Sequence, residues 1–322
     1  MELRSAEITK LKSLVDDWLA HPDVQELEAS FGRHRTVDAT TFLAIAQRLK
    51  LKGYDTLPQD DRLSIITPNN IRLSLQGLGV LQSYCRDDVL SDKEYTAMIK
   101  DRKSLEADLN LPEYELHIKS RRELALAKTS TEVVDILSNW AQTRKAFRLV
   151  KRWSFKGHGM RIDMSMVRST PKDSRGDFLW QRKFTDVNLF EQPVIYEVEV
   201  ELIHGDKTAT RDTAVSCFVR GIGEILRAIQ GNTLLLQTSV VRSVLEEYKG
   251  ISRTHEFRGV APITLEVKNM SDEESSDEPN IRQNYNVTDK ADGLRTHGFC
   301  NRQGELFLID MSMKVYRTGL AN

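Results

Sequence analysis

The sequence predicts an α+β chain built on a closed antiparallel β-barrel with flanking helices, and three observations carry that prediction. Segments with a two-residue period occur at 24–31 and then repeatedly from about 62 to 203. Each puts apolar side chains on one face and charged ones on the other, as strands buried on one side do. The sign of the charged face also changes from strand to strand. An open, solvated sheet gives no reason for that segregation, whereas a barrel with inward charged faces does.

Taken in order, Leu11, Leu14, Val15, Trp18 and Leu19 fall at helical spacing and predict an amphipathic helix over 4–20, ended by His21-Pro22. A strand follows at 24–31, and Phe42, Ile45, Ala46 and Leu49 mark a second helix starting near Asp38. Strands are then expected at 62–66, 71–76, 114–122, 146–155, 160–168 and 195–203, separated by short helical stretches and loops such as Ser169–Arg175. Val215, Phe218, Val219, Ile222, Ile225, Leu226 and Ile229 line one face of a helix over 212–230, and a further helix spans 234–249. Gly221-Ile222-Gly223 lies inside the first of these and reads as helix packing rather than a dinucleotide fingerprint. The acidic run Asp272–Glu278 reads as a solvated loop. Strand signals return at 284–289, 294–300 and 305–310, so the chain divides into regions 1–255 and 256–322.

Composition narrows the function. The 322 residues hold 46 Lys+Arg against 47 Asp+Glu, a net charge of −1, so no global basic field exists to hold a polyanion. Any polyanion must be gripped by locally concentrated charge. No apolar run approaches 18 residues and no charged-then-apolar leader opens the chain, which argues against a membrane partner and a signal peptide. Cys85, Cys217 and Cys300 lack metal or redox spacing and read as reduced thiols of an intracellular protein.

The charged faces carry the chemistry. Glu197, Glu199 and Glu201 share one face of a strand whose other face is Tyr196, Val198, Val200 and Leu202. An acidic edge strand or a cation site satisfies that pattern equally well. Glu26, Glu28 and Ser30 repeat it opposite Leu27, Ala29 and Phe31. Two acidic strands that meet in space suit Mg²⁺ or Mn²⁺, which take oxygen ligands from a few carboxylates, water and phosphate. The other strands are basic: Arg72 with Ser74 and Gln76, His117 with Lys119 and Arg121, Arg148 with Arg152, and Arg161 with Asp163 and Ser165. A pore with carboxylates on one wall and cations on another suits a metal–triphosphate, with the cations stabilising charge as a phosphoryl group passes to water.

Glu26–Gly32, Arg152-Trp153-Ser154-Phe155, Arg161–Ser165 and Tyr196–Glu201 together make residues 1–255 resemble the triphosphate tunnel metalloenzymes, in particular the RNA triphosphatases of fungal and large-DNA-virus mRNA capping systems. The resemblance implies an eight-stranded tunnel and metal ligation by Glu26, Glu28, Glu197 and Glu199, with Glu201 next in line. It implies phosphate contacts from Arg152 and Arg161, and for Asp163 the orienting of a basic side chain or water. Arg72, Lys119, Arg121 and Arg148 are assigned to phosphate from facing alone. The implied substrate is 5′-triphosphate RNA, and the implied location is the virion or host cytoplasm.

A second motif lies at Lys290-Ala291-Asp292-Gly293-Leu294-Arg295, the K-x-D-G-x-R pattern of covalent nucleotidyltransferases. With Phe257–Glu266 and Tyr285–Asp289 it resembles the guanylyltransferase part of a multifunctional viral capping enzyme. That resemblance implies Lys290 as the GMP attachment site, Arg295 as a nucleotide contact, GTP as a second substrate and a methyltransferase domain or subunit as a partner. Only 32 residues follow Lys290, so region 256–322 is expected to be the opening fragment of that domain. Two other readings stay open: a ligase-type nucleotidyltransferase with an N-terminal binding domain, and a non-catalytic module that binds triphosphate RNA.

Overall fold

A computed structural model describes residues 1–31, 37–90, 93–100, 108–259, 264–270, 280–282, 285–287, 289 and 292–321. It divides into two compact units, Met1–Thr238 and Ser239–Asn322. The expected division at 255 falls after the last long helix, whereas compactness divides the chain ahead of it.

The first unit runs α1 (Ser5–Ala20), β1 (Gln25–Phe31), α2 (Ala39–Leu51), β2 (Asp55–Thr56), β3 (Asp60–Ile66), β4 (Ile71–Gln76), α3 (Leu78–Asp87), β5 (Thr96–Lys100), β6 (Leu109–Leu111), β7 (Leu116–Leu126), α4 (Thr131–Ser138), β8 (Ala146–Gly157), β9 (Met160–Ser169), β10 (Ile195–Leu202) and α5 (Arg211–Gln230). The second holds α6 (Thr238–Ser252), which begins at the boundary residue, then β11 (Thr296–Cys300), β12 (Glu305–Asp310) and β13 (Val315–Ala321).

Eight strands close on themselves. The antiparallel order β1-β10-β9-β8-β3-β4-β5-β7 returns to β1 through a β1–β7 ladder, while β2 and β6 add to the outside of the ring. The register carries one face all the way round. Ser30 pairs with Glu199, Glu199 with Asp163, Asp163 with Ser154 and Arg152 with Asp60. Farther round, Ser64 pairs with Ser74, Arg72 with Met98, Lys100 with Glu123, and Arg121 with Glu26. Because side chains alternate, that common face is the inside of the barrel.

The opposite face is apolar and packs under helices on two sides. Leu27, Ala29, Ile162, Met164, Val198 and Val200 meet Leu11 and Trp18 of α1, Phe42 and Ile45 of α2, and Phe218 and Ile222 of α5. Leu63, Ile65, Leu73, Leu75 and Phe147 meet Leu81 and Tyr84 of α3 and Val133 of α4 in a second core. Each fully buried Leu, Ile, Val, Met or Phe among them contributes about 1.5–3 kcal/mol. Gly221 lets α5 lie close on the sheet, since a Cβ there would stand 2.2 Å from Met160 Sδ. The helix-packing reading of Gly221 therefore holds.

Several expectations need correction. Strand β5 has no counterpart among the expected strands, because Thr-Ala-Met-Ile-Lys is short and carries only one β-branched apolar residue. The strand expected at 114–122 is β7, Leu116–Leu126; Pro112–Tyr114 form a 3₁₀ turn and Glu115 takes a left-handed φ of 50°. The helix expected over 234–249 starts four residues later, at Thr238. The strand expected at 284–289 does not form across its described residues 285–287, whereas β13 is an addition to the expected set. In the second unit, β11–β13 make a small antiparallel sheet with Phe307, Ile309 and Val315 buried. The acidic run 272–278 and Lys290 lie outside the described residues. No helix among the described residues is long and apolar enough to cross a membrane.

Candidate active site

The ring register brings the two glutamate strands side by side, with Glu28 opposite Glu201 and Ser30 opposite Glu199. Glu26, Glu28, Glu197, Glu199 and Glu201 therefore share one arc of the barrel interior. The rest of the interior supplies the cations. Arg72 comes from β4, Lys100 from β5, Lys119 and Arg121 from β7, Arg148 and Arg152 from β8, and Arg161 from β9.

Most of these charges are paired across strands. Arg148 Nη2 donates to both Glu197 carboxylate oxygens at 2.7 and 2.9 Å. Arg161 Nη2 donates to Glu201 at 2.5 Å and its Nε to Asp163 at 3.2 Å. Arg152 donates to Asp163 at 2.8 Å and to Ser165 Oγ at 3.1 Å, and its guanidinium stands 3.9 Å from Glu199. Asp163, buried, also accepts from Ser154 Oγ at 2.6 Å. One carboxylate thus holds two guanidiniums and a hydroxyl, which fixes both arginines without occupying their whole donor forks. On the β1 side the partners are ammonium groups: Lys119 lies 3.7 Å from Glu28, and Lys100 lies 3.4 Å from Glu26.

Sequence reasoning missed three interior or wall residues. Lys100 pairs with Glu123 at 2.6 Å and links it to Glu26. Glu123 extends the Lys119–Arg121 alternation by one more step, so its signal was present in the sequence. Asp108 was beyond reach, since nothing local ties it to β7. It takes a two-pronged hydrogen bond from Arg121 at 2.5 and 2.6 Å and lies 3.1 Å from His117 Nε2. Arg121 therefore stands on the expected face, with its fork already occupied.

Arg72 differs from the rest: among the described residues it makes no ion pair. Burial and the neighbouring Arg148 hold its pKa below the ordinary arginine value. A half-buried guanidinium without a carboxylate partner is a ready site for an anion.

The acidic arc is strained in the opposite sense. Burial, with Glu28 and Glu197 nearby, pushes Glu199 up to about 7, and burial, with Glu26, Asp163 and Glu28 nearby, pushes Glu201 up to about 8. Burial, Glu123 and Glu28 likewise raise Glu26. Negative charge is crowded here beyond what the arginines and lysines offset. That donor set fits a hard divalent cation. In the arrangement described, each carboxylate turns to a basic partner or a neighbour, and among the described residues no three His, Cys, Asp or Glu side chains converge within metal-ligand reach.

In the second unit, Asp292 and Arg295 lie in irregular chain ahead of β11, so the structure places Arg295 but not Lys290.

No protein-family model matches the sequence, and no curated protein matches it. Solved structures do. The mimivirus capping enzyme triphosphatase is 17% identical, with a TM-score of 0.49, over 70% of this chain and 100% of that one. A second structure, of the RNA triphosphatase domain of a trifunctional mimivirus mRNA capping enzyme, is 19% identical with a TM-score of 0.49, over 71% and 100%. The Pct1 RNA triphosphatase of S. pombe is 14% identical with a TM-score of 0.40, over 71% and 90%. The eight-stranded closure itself is carried by the strand register.

Proposed function

We propose that the first unit is a metal-dependent RNA 5′-triphosphatase that removes the γ-phosphate of a nascent transcript to leave a diphosphate end. The observation that carries this reading is the barrel interior. An arc of crowded glutamates faces arginines and lysines, and one of those cations, Arg72, has no carboxylate partner among the described residues.

The chain's own groups divide the work. Glu28, Glu197 and Glu199, with Glu26, are the ligands that would hold Mg²⁺ or Mn²⁺. When bound, that ion neutralises phosphate oxygens and polarises the terminal phosphorus. Arg72 and Arg148 bind phosphate oxygens of the triphosphate. Arg152 and Arg161, fixed by Asp163, stabilise the charge that develops as the terminal phosphoryl group passes to water. Their geometry exists before substrate arrives, so little reorganisation is needed at the moment of reaction. The triphosphate specificity follows from the interior charge, whereas the RNA end of the substrate rests on the sequence resemblance of the glutamate and arginine strands.

The test is release of inorganic phosphate from triphosphate-ended RNA in Mg²⁺ or Mn²⁺. Activity is expected in the unaltered chain and is lost by at least ~10³-fold in Glu26→Ala and in Glu197→Ala. Unchanged turnover in both variants would remove the metal-site assignment. Binding of triphosphate RNA with no release in the unaltered chain would favour a non-catalytic binding module instead. Guanylate attachment at Lys290, with GTP as donor and a methyltransferase as downstream partner, is proposed from the sequence resemblance of residues 257–266 and 285–295 alone. Label transfer from α-labelled GTP to a chain extended through the rest of that domain, compared with its Lys290→Ala variant, tests it.

A further inference from the structure

One end of the barrel carries a feature that the triphosphatase reading leaves unused. Between β9 and β10 the chain makes a hairpin over 171–181. It is anchored by backbone hydrogen bonds from Leu179 to Pro171 at 2.8 Å and between Lys145 and Gln181 at 2.6 and 2.9 Å. Asp173 Oδ1 accepts the amides of Arg175 and Asp177 at 2.9 and 3.0 Å, and Gly176 turns the tip with a φ of 88°. The loop is thus internally braced.

Its outer surface is aromatic and carries two cations, Lys172 and Arg175, alongside two carboxylates, Asp173 and the exposed Asp177. Lys172 Nζ lies 4.9 Å from the centre of the Phe178 ring, and Phe178 meets Trp180 edge-on at 5.6 Å. The Arg175 side chain is 82% exposed, so its weak pairing with Asp173 at 3.5 Å leaves it open to another anion. Arg182 and Lys183 follow directly and are exposed. The hairpin and Pro68 line an open cavity of about 490 Å³.

The segments that line the cavity lead directly into strands that carry interior cations. Pro68 belongs to the β3–β4 turn, and Arg72, the unpaired cation, is the second residue of β4. The hairpin rises from the end of β9, where Ser169 pairs with Arg148. The strand ends adjoining these two segments therefore carry the two interior cations assigned to the triphosphate.

We infer that the 171–181 hairpin is the docking site for the nucleotides that follow the first in a single-stranded RNA whose triphosphate lies in the barrel. A base stacks against Trp180 or Phe178, and Lys172 and Arg175 meet the sugar–phosphate backbone. Aromatic faces beside cations are the usual means of holding a single strand without reading its sequence. A braced platform keeps the ordering cost of that binding low. The inference rests on the triphosphatase reading and sharpens it, because it separates an RNA end from a free nucleotide.

The experiment compares phosphate release from a ten-nucleotide triphosphate RNA and from free GTP, in the unaltered chain, Trp180→Ala and Lys172→Ala/Arg175→Ala. On RNA, kcat/KM is expected to fall about ten-fold in each variant, while GTP hydrolysis stays unchanged. The double variant also lowers the slope of log KM against log salt for RNA by about 0.7 for each phosphate-binding cation removed. Equal loss on both substrates, or no loss on RNA in the exposed double variant, overturns the inference. If the unaltered chain hydrolyses neither substrate, the triphosphatase reading fails on its own. Equilibrium binding of the same RNA to the three proteins then decides the hairpin, with undiminished affinity in the variants overturning it.

Discussion

The two glutamate strands of the barrel are neighbours in space and nearly alike in sequence, yet they are held differently. Every glutamate of β10 faces a guanidinium: Arg148 at 2.7 Å, Arg152 at 3.9 Å and Arg161 at 2.5 Å. Those of β1 face ammonium groups, at 3.4 and 3.7 Å. An arginine fork is planar, permanently charged and directional, whereas a lysine is a hydrated point charge on a flexible stem. The β10 wall is therefore built for fixed geometry and the β1 wall for exchange. A cation or phosphate entering the barrel displaces a lysine more easily than a fork.

That contrast can be broken most sharply at Arg152. Arg152→Ala is expected to lower phosphate release by about 10²–10³-fold, and Arg152→Lys to recover little of it, because Asp163 and Ser165 hold two separate nitrogens of the guanidinium. Lys119→Ala is expected to cost only about ten-fold, and Lys119→Arg to keep most activity. Steady-state kinetics on triphosphate RNA measures both pairs, and equal losses would erase the distinction between the walls.

A smaller effect tests the crowded carboxylates. Glu199 and Glu201, raised to about 7 and about 8 from an ordinary 4.5, stay protonated in the folded chain where the unfolded chain has released those protons. The folded state binds more protons in that window, so stability in chelator falls as pH rises from about 4.5 toward 8. A melting temperature lower by roughly 2–5 °C at pH 8 than at pH 6 is expected. Added Mn²⁺ should raise it more at pH 8, where the ligands lose their protons more readily. Thermal unfolding at the two pH values, with and without the ion, would show no such slope if the cluster were fully compensated.

The smallest effect lies outside the barrel. Asp38 caps α2 by accepting the Thr41 amide at 2.7 Å. Asp38→Ala should cost about 1 kcal/mol in denaturant unfolding and leave turnover intact. A loss of activity there would mean that α2 positions the site.

Much of this was legible because strand alternation and charge act together. On β1, β9 and β10 one face is mostly apolar, so a one-residue slip would drive charged interior residues into the apolar core and turn the apolar residues into the barrel, which disfavours other registers. The two glutamate strands become neighbours only through ring closure, and the recurrence of the pattern anticipated that pairing. Strand β5 was illegible because its five residues have weak β-propensity and are held by neighbours on both sides. Asp108 and Arg121 show the same limit at a side chain, since the fork is filled by a residue from outside the strand pattern. Arg72 is the converse case. Its face was readable, but only the structure shows that no described carboxylate lies within ion-pair distance of it, although Glu123, Glu199 and Glu26 are near enough to act on it.

Closure of the ring also sets a schedule. Strand β1 is made early and finds its partners on β7 and β10, so Leu27 and Ala29 have no completed sheet until residue 202 has left the ribosome. At ordinary synthesis rates that wait is roughly 10–30 s. Until then β1 lacks at least its β10 edge, and its alternating glutamates help to keep a nascent apolar strand from pairing with another chain. The same carboxylates that crowd the finished barrel thus guard the unfinished one, and replacing several of them together should show first as poor soluble yield.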